Sequence, residues 1–152
     1  MYEHIKFKNA INMRKANYDK FPSTKLTGML VQGWDSIISM LKKKMDARKV
    51  LAVDLYTGVY EEEVLDAFSK EFSGRVMNVR DLMKPEKEIQ TLTERFMTED
   101  VLFGYVTNLK LEDYLDADKV AAARKQISEA KETIVIIGTG AAVVAPQDAM
   151  VV

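Results

Sequence analysis

The sequence has 152 residues, of which 47% are hydrophobic and 30% are charged, and its 22 basic side chains nearly balance 23 acidic ones. A chain of this length buries roughly two-thirds of the surface that it exposes when unfolded, so one globular core can form without disulfides or a metal. Because the chain has no cysteine and His4 is its only histidine, thiolate zinc sites, cysteine nucleophiles, disulfides and multi-histidine metal sites are excluded.

Net charge and hydropathy bear on partners and location. The formal net charge is -1 and no long basic stretch is present, so the electrostatic field that attracts DNA or RNA is missing. No apolar run approaches the roughly 18 to 20 residues of a membrane span, and the N-terminus lacks the apolar core of a signal peptide. We therefore expect a cytoplasmic protein without nucleic-acid or membrane partners, a location with which the absence of cysteine is compatible.

The chain begins with an irregular segment and then changes to periodic apolar patterns. Residues 1–32 show no sustained periodicity and are predicted to form an N-terminal arm, and residues 33–152 are predicted to form an α/β domain. Between residues 33 and 47, apolar side chains recur at the spacing of one helix face, which predicts a helix. Residues 50–56 form a nearly continuous apolar run, which is typical of a strand covered on both faces.

The next segments alternate between helical and extended patterns. A helix is predicted to begin at Glu61 and to end near Gly74, since glycine is common just beyond helix ends. Residues 75–79 are predicted to form a second strand. Pro85 suits the first turn of another helix. The apolar stripe that this helix is expected to bury consists of Ile89, Leu92, Phe96 and Met97.

The second half of the chain contains one ambiguous segment and one strong strand. Residues 98–107 alternate like a strand but are interrupted by Gly104, so a strand and a loop that lines a cleft fit equally well. Asp116 is predicted to cap a helix over 117–131. Residues 133–137 have the strongest strand pattern of the chain.

Alternating helices and buried strands predict βαβ units, and therefore an α/β fold with a mainly parallel sheet and helices on both faces. Residues 149–152 have the pattern of the start of one further strand. Because a central parallel strand is a poor place for a natural terminus, we expect the domain to be truncated at this C-terminal strand.

The first candidate site is the turn after the first predicted strand, from Asp54 to Gly58. A phosphate-binding P-loop would read G-x-x-x-x-G-K-[ST], because its glycines let the backbone wrap the phosphates and its lysine contacts their oxygens. Here one glycine is present, lysine is absent, and the glutamates 61–63 occupy the position of the anion. Carboxylates in a first helical turn repel phosphate, so a structural helix start is favoured over a phosphate site.

The second candidate site is Gly138-Thr139-Gly140, at the end of the strongest strand. The pattern G-x-G-x-x-[GA] would be a dinucleotide-binding fingerprint if a helix followed it. The match is incomplete because its last position falls on Val143, and Pro146 argues against a long helix. A tight turn is the simpler interpretation, and a phosphate-binding turn is the alternative.

The candidate ligand-binding residues come from these two turns, and Asp54 is the strongest of them. A carboxylate at the end of a buried strand must be hydrogen-bonded or functional, because burial without a partner costs several kcal/mol. The full set is Asp54, Thr57, Gly58, Gly138, Thr139 and Gly140. We assign no catalytic residue and no metal ligand from the sequence.

Three runs of sequence together resemble a known family. They are VDLYTGVYEEE (53–63), TEDVLFG (98–104) and IIGTGAA (136–142). In order and spacing they resemble the N-terminal, uridine-kinase-like region that precedes the cupin in some bacterial class I mannose-6-phosphate isomerases, over most of the chain. The resemblance implies a P-loop-kinase-like or Rossmann-like three-layer architecture whose first loop has lost the P-loop lysine.

The resemblance also implies that catalysis and accessory functions belong to different domains. In that family, isomerase chemistry uses a metal bound by His and carboxylate ligands in the cupin part, so no cofactor is expected in this chain. We predict a non-catalytic accessory domain with a regulatory or assembly role, whose partner is the C-terminal cupin domain of the same polypeptide. The alternative is an enzyme domain that binds a nucleotide or a sugar phosphate. A protein-interaction module is a third interpretation, and it would expose an apolar patch in residues 1–30 or beside the last strand.

Overall fold

The computed structural model describes residues 18–25, 27–45 and 47–152. The chain divides into two compact units, Met1–Leu30 and Val31–Val152. In the first unit, the described residues form neither a helix nor a strand, and most of the predicted N-terminal arm lies outside the described residues. All elements named below belong to the second unit.

The second unit alternates helices and strands along the chain. Its helices are α1 (Trp34–Met45), α2 (Glu61–Glu71), α3 (Glu86–Glu94), α4 (Leu111–Tyr114), α5 (Ala117–Glu129) and α6 (Ala141–Val144), and a 3-10 helix spans Val79–Leu82. Its strands are β1 (Val50–Asp54), β2 (Arg75–Asn78), β3 (Ile134–Gly138) and β4 (Met150–Val151). Every helix and strand predicted from periodicity is therefore present, with small differences at the ends. Within the described residues, no helix has the length and apolar character needed to cross a membrane.

The four strands form one sheet in the order β2-β3-β1-β4, and every pairing is parallel. The central pair is β3 and β1, which run together from Val50 opposite Ile134 to Asp54 opposite Gly138. This arrangement confirms the predicted α/β class with a parallel sheet. The further strand expected at the end of the chain is also present as β4, but it lies at the edge of the sheet beside β1 and is not central.

Helices cover both faces of the sheet. Successive side chains of a strand point to opposite faces, so each buried strand contributes side chains to both helical layers. All five residues of β3 are buried. Ile134 and Ile136 pack in the core cluster that contains residues of α5 and α6, whereas Val135 and Ile137 pack in the cluster of α1 and α2. The second unit therefore has three layers, with the sheet between two layers of helices.

The layer of α1 and α2 is built on the predicted apolar stripe of α1. Ile38 and Leu41 are buried in the same core cluster as Phe68 of α2. The Phe68 ring stacks on Phe72, with 5.6 Å between ring centroids, and meets the Trp34 ring edge-on at 6.3 Å. Full burial of each large apolar side chain contributes roughly 1.5–3 kcal/mol, so this layer is a major source of stability.

On the other face, α5 begins as the sequence predicts, with Asp116 as its N-cap. The Asp116 Oδ1 atom accepts hydrogen bonds from the backbone N–H groups of Asp118 and Lys119, each at 3.0 Å. These bonds satisfy two first-turn donors that have no partner within the helix. The inner side of α5 buries Val120, Ala123 and Ile127.

Gly74 has a role that differs from the predicted one. The helix α2 ends at Glu71 and Phe72 already has an extended backbone, so Gly74 does not cap the helix. A Cβ atom at Gly74 would collide with the backbone carbonyl of Thr133, which accepts a 2.9 Å hydrogen bond from the Arg75 N–H. The glycine therefore permits β2 to approach the residue before β3 closely.

The helix after Pro85 buries less than its apolar pattern predicts. No residue of α3 is fully buried, and neither core cluster includes it. Of the predicted stripe, Ile89, Leu92 and Phe96 are half-buried, and Met97 lies exposed beyond the end of the helix. The prediction of a buried stripe is therefore wrong, because α3 is not packed into the core on either face of the sheet. Residues 98–107 form an exposed loop and not a strand.

Candidate functional site

The two candidate turns meet where the central strands end. The carboxyl ends of β1 and β3 lie side by side, with Asp54 opposite Gly138. The helix that follows β1, α2, packs on one face of the sheet, and α6, which follows β3, packs on the other. Adjacent strands whose connections leave toward opposite faces form the topological switch point at which open α/β sheets bind ligands.

Asp54 joins the two turns through both of its carboxylate oxygens. Its Oδ1 atom accepts a 2.9 Å hydrogen bond from the Gly140 backbone N–H, and its Oδ2 atom accepts a 3.0 Å bond from the Ala142 N–H. Hydrogen bonds to an ionised acceptor are about twice as strong as neutral ones. Asp54 is therefore hydrogen-bonded, as expected from the sequence for a carboxylate at the end of a buried strand, because each oxygen of this half-buried residue accepts one hydrogen bond.

Two further hydrogen bonds tie the end of β1 to the same turn. The Thr139 hydroxyl donates to the Leu55 carbonyl at 2.9 Å, and the Leu55 N–H donates to the Gly138 carbonyl at 3.3 Å. Gly138 has φ +136° and Gly140 has φ +88°. Residues other than glycine rarely adopt these positive φ values, because their Cβ atom would clash with the backbone. A Cβ atom at Gly138 would also lie 2.9 Å from the Cβ of Val79. The turn thus depends on its glycines.

Hydrogen bonds between the two turns bring together Asp54, Gly138, Thr139 and Gly140, and the other two predicted residues take no part in these bonds. Thr57 and Gly58 lie in the exposed turn after β1. This turn is closed by a 3.2 Å hydrogen bond from the Val59 N–H to the Tyr56 carbonyl, and Gly58 has φ +95°. Within the described part of the chain, no hydrogen bond links Thr57 or Gly58 to the Gly138–Gly140 turn.

The backbone N–H groups of the second turn already have an internal anion as their partner. In phosphate-binding turns, the N–H groups at the start of a helix point at the phosphate. Here the N–H groups of Gly140 and Ala142 point at Asp54. The helix that follows is α6, which ends at Val144 before Pro146, as expected from the position of the proline.

The glutamates at the start of α2 hold that helix to its neighbours. Glu61 Oε2 forms an ion pair with Arg80 Nη2 at 3.2 Å, and Glu63 Oε1 accepts a 3.0 Å hydrogen bond from Trp34 Nε1. Arg80 is not predictable as a site residue from the sequence, since no pattern around it indicates a partner. Over residues 18–25, 27–45 and 47–152, no group of three or more His, Cys, Asp or Glu side chains is placed to hold a metal ion.

A cleft of about 310 Å³ opens beside this ion pair, at the carboxyl ends of β2 and β3. Its lining residues are Glu61, Val79, Arg80, Met83, Leu111, Tyr114, Leu115, Gly138 and Thr139. The Oε1 atom of Glu61 is buried without a hydrogen-bond partner among the described residues. We refer to this feature as the Glu61–Arg80 cleft. Gly138 and Thr139 are the predicted site residues that line it.

Comparison with known proteins identifies a family but no relative of known activity. No curated protein and no solved structure matches the chain. The family described as Domain of unknown function (DUF8485) matches residues 33–152, which include every helix and strand of the structure. Because this match covers well over half of the chain, the protein belongs to the DUF8485 family.

Proposed function

We propose that this protein is a non-catalytic, P-loop-kinase-like accessory domain of a mannose-6-phosphate isomerase, with a regulatory or assembly role. The observation that carries the non-catalytic part is the position of Asp54. Its carboxylate accepts hydrogen bonds from the N–H groups of Gly140 and Ala142. In a phosphate-binding turn, N–H groups at this position would donate to the phosphate.

The free-energy cost of replacing Asp54 supports this part of the proposal. A phosphate at the turn would have to break two hydrogen bonds to a charged acceptor, which contribute roughly 1.5–3 kcal/mol each. The displaced carboxylate would remain beside the phosphate and repel it. The loop from Asp54 to Gly58 also contains no lysine that could offset this repulsion.

The isomerase part of the proposal is supported by the resemblance of the three sequence runs to the region ahead of the cupin in bacterial class I mannose-6-phosphate isomerases. Isomerase chemistry there belongs to the cupin and its metal. In this proposal the chain binds no cofactor of its own, its partner is a C-terminal cupin domain of the same polypeptide, and it acts in the cytoplasm.

The coding sequence beyond Val152 tests the isomerase part directly. We expect it to encode a cupin with clustered His and carboxylate ligands. A stop codon directly after Val152, or an unrelated domain, would contradict this part of the proposal.

Phosphoryl transfer tests the non-catalytic part. The chain is incubated with Mg-ATP and with uridine or mannose as acceptors, and ADP formation is followed. We expect the rate of the buffer control. Metal-dependent turnover above that rate would overturn the assignment.

The second candidate is an enzyme domain that binds a nucleotide or a sugar phosphate, and the switch-point location of the two turns favours it. Calorimetric titration with ATP, uridine and mannose 6-phosphate separates the two candidates. Micromolar binding that is abolished by Gly140→Val would support the enzyme, because that substitution fills the turn itself. Under the leading proposal, no ligand binds at this turn.

A further inference from the structure

We propose that this chain associates with a second copy of itself, and that the exposed loop 98–107 of one copy binds in an apolar groove between α1 and β4 of the next. This inference goes beyond the proposed function, because it assigns an interaction surface and its partner. Both surfaces belong to the second unit, and no residue of the loop lines the groove. Within one copy, therefore, the loop does not fill the groove.

The loop presents a set of large apolar side chains to solvent. Val101 and Val106 are 96% and 98% exposed, and Leu102, Phe103 and Tyr105 are exposed as well. Single exposed apolar residues are common on proteins, but a neighbouring set of them is typical of an interaction surface. Burial of these side chains against a partner is favourable, because it removes apolar area from water.

Hydrogen bonds within and beside the loop hold its backbone in place. The Asp100 Oδ1 atom accepts from the backbone N–H groups of Leu102 and Phe103, at 2.8 and 3.1 Å. The Tyr105 N–H donates to the Phe96 carbonyl at 2.8 Å. A surface whose conformation is fixed before binding loses less entropy on association. The loop can therefore bind without the cost of ordering its backbone.

The groove lies where the layer of α1 and α2 meets the edge strand β4. It has a volume of about 430 Å³, and its lining is apolar apart from Lys44. Ile37, Met40, Leu55 and Met150 line it, and they are half-buried side chains that pack against the core cluster of this layer. Because protein interiors are close-packed, these side chains lack contacts on their open side that an apolar partner would supply. We refer to this feature as the α1–β4 groove.

Charge complementarity favours the loop of a second copy as the occupant of the groove. Lys44 is exposed at the groove, and Glu99 is exposed in the loop. Over the described ranges of the chain, neither side chain forms an ion pair. The net charge of -1 leaves little repulsion between whole copies. Glu99 and Asp100 disfavour an anionic lipid surface as the partner of the loop, because like charges repel.

A contact between two different surfaces of one chain is heterologous. Each copy uses its loop on one neighbour and its groove on another, so copies add head to tail into rings or open chains. One loop in one groove is a small interface, and small interfaces are usually transient. We therefore expect a dissociation constant in roughly the micromolar range.

Sedimentation equilibrium of the intact chain over a concentration series tests the association. We expect the average mass to rise with concentration beyond that of a dimer. Phe103→Ser removes the ring from the loop and should weaken association at least about tenfold. The matched control is Phe21→Ser, which removes a similarly exposed ring from the first unit and should leave association unchanged.

Charge reversal tests whether loop and groove meet. Lys44→Glu and Glu99→Lys each place like charges at the contact, so each should weaken association about tenfold. A chain that carries both substitutions has opposite charges again and should associate like the unchanged protein. The control is Lys70→Glu, the same reversal in the last turn of α2 and outside the groove, which should have no effect.

Mixing two defective variants distinguishes a head-to-tail contact from a symmetric one. Met40→Trp fills the groove and keeps the loop, whereas Phe103→Ser keeps the groove. Each variant by itself should sediment as a monomer at concentrations where the unchanged protein associates, and their mixture should form a 1:1 dimer that does not grow further. Circular dichroism checks that both variants are folded, and Lys44→Glu replaces Met40→Trp if the latter is not.

Several results would overturn the inference. One is a monomer at every concentration up to about 0.5 mM. Another is association that is unchanged by the groove variants Met40→Trp and Lys44→Glu, and a third is the absence of a dimer in the mixture. Flotation of the chain with vesicles of phosphatidylserine and phosphatidylcholine, if Phe103→Ser abolishes it, would assign the loop to a membrane instead. None of these results depends on ATP turnover or on the coding sequence beyond Val152, so failure of this inference and failure of the proposed function are distinguishable.

Discussion

Asp54 shows how one side chain can serve a fold at the position where related architectures bind ligands. Its two oxygens accept hydrogen bonds from Gly140 and Ala142, which lie 86 and 88 residues further along the chain. The carboxylate therefore fixes the start of α6 against the end of β1. It also gives the N–H groups of the turn an anion that is part of the protein, which is the physical basis for proposing a non-catalytic role.

We predict that Asp54→Asn lowers the free energy of unfolding by roughly 1–3 kcal/mol. An asparagine keeps one acceptor for the Gly140 N–H, but its amide group cannot accept from the Ala142 N–H, and the negative charge is lost. Urea denaturation measures the change, and hydrogen exchange at the Ala142 amide should quicken. The control is Asp66→Asn, an exposed carboxylate of α2, which should change stability by less than about 0.5 kcal/mol. Equal stability of the two variants would contradict a structural role for Asp54.

Among the elements, burial separates helices that build the core from those that do not. α1 and α2 contribute a shared aromatic and aliphatic cluster to one face of the sheet, and α5 contributes to the other. α3 has a comparable apolar pattern in the sequence, yet none of its residues is fully buried. Periodicity predicts which side of a helix is apolar, but it does not say how completely that side will be covered.

Two phenylalanines should therefore differ sharply in their importance. Phe68 is 1% exposed, whereas Phe103, in the loop after α3, is 72% exposed. Phe68→Ala should destabilise the protein by roughly 3–5 kcal/mol, because it removes a buried ring and leaves a cavity between Trp34 and Phe72. Phe103→Ala should change stability by less than about 0.5 kcal/mol. Thermal or urea unfolding of both variants tests the contrast, and similar losses of stability would contradict it.

At the scale of the whole molecule, charge balance and surface apolarity act together. The net charge is -1, and the isoelectric point is about 5.9. The loop between α3 and α4 exposes a neighbouring set of large apolar side chains, which are Val101, Leu102, Phe103, Tyr105 and Val106. A molecule that combines low net charge with exposed apolar side chains tends to associate with itself. The third interpretation of the sequence expected exposed apolar side chains in residues 1–30 or beside the last strand, and Phe21, Met29, Leu30 and Val151 are indeed exposed there.

We predict that light scattering at constant concentration rises to a maximum close to pH 5.9. Val106→Glu should lower this maximum more than Asn108→Glu does. Both substitutions add one negative charge to the same exposed loop, but only the first also removes an apolar side chain. Neither should change the melting temperature. If the two variants scatter equally, charge alone governs the association and the loop has no part in it.

The sequence by itself determined the excluded metal and disulfide chemistries, the order of helices and strands, the α/β class and the need for a partner at Asp54. These conclusions follow from composition and from periodicities within short segments, which are local properties of the chain. The cap at Asp116 and the shortness of α6 before Pro146 were predictable for the same reason.

Only the tertiary structure decided which distant residues meet. The order β2-β3-β1-β4 places Gly140 and Ala142 against Asp54, and it makes β4 an edge strand. It also brings the end of β2, with Arg80 just beyond it, to the start of α2, which creates the Glu61–Arg80 cleft. Strand order depends on which faces and edges are buried once the whole chain packs. The hydrophobic pattern of a short segment does not determine it.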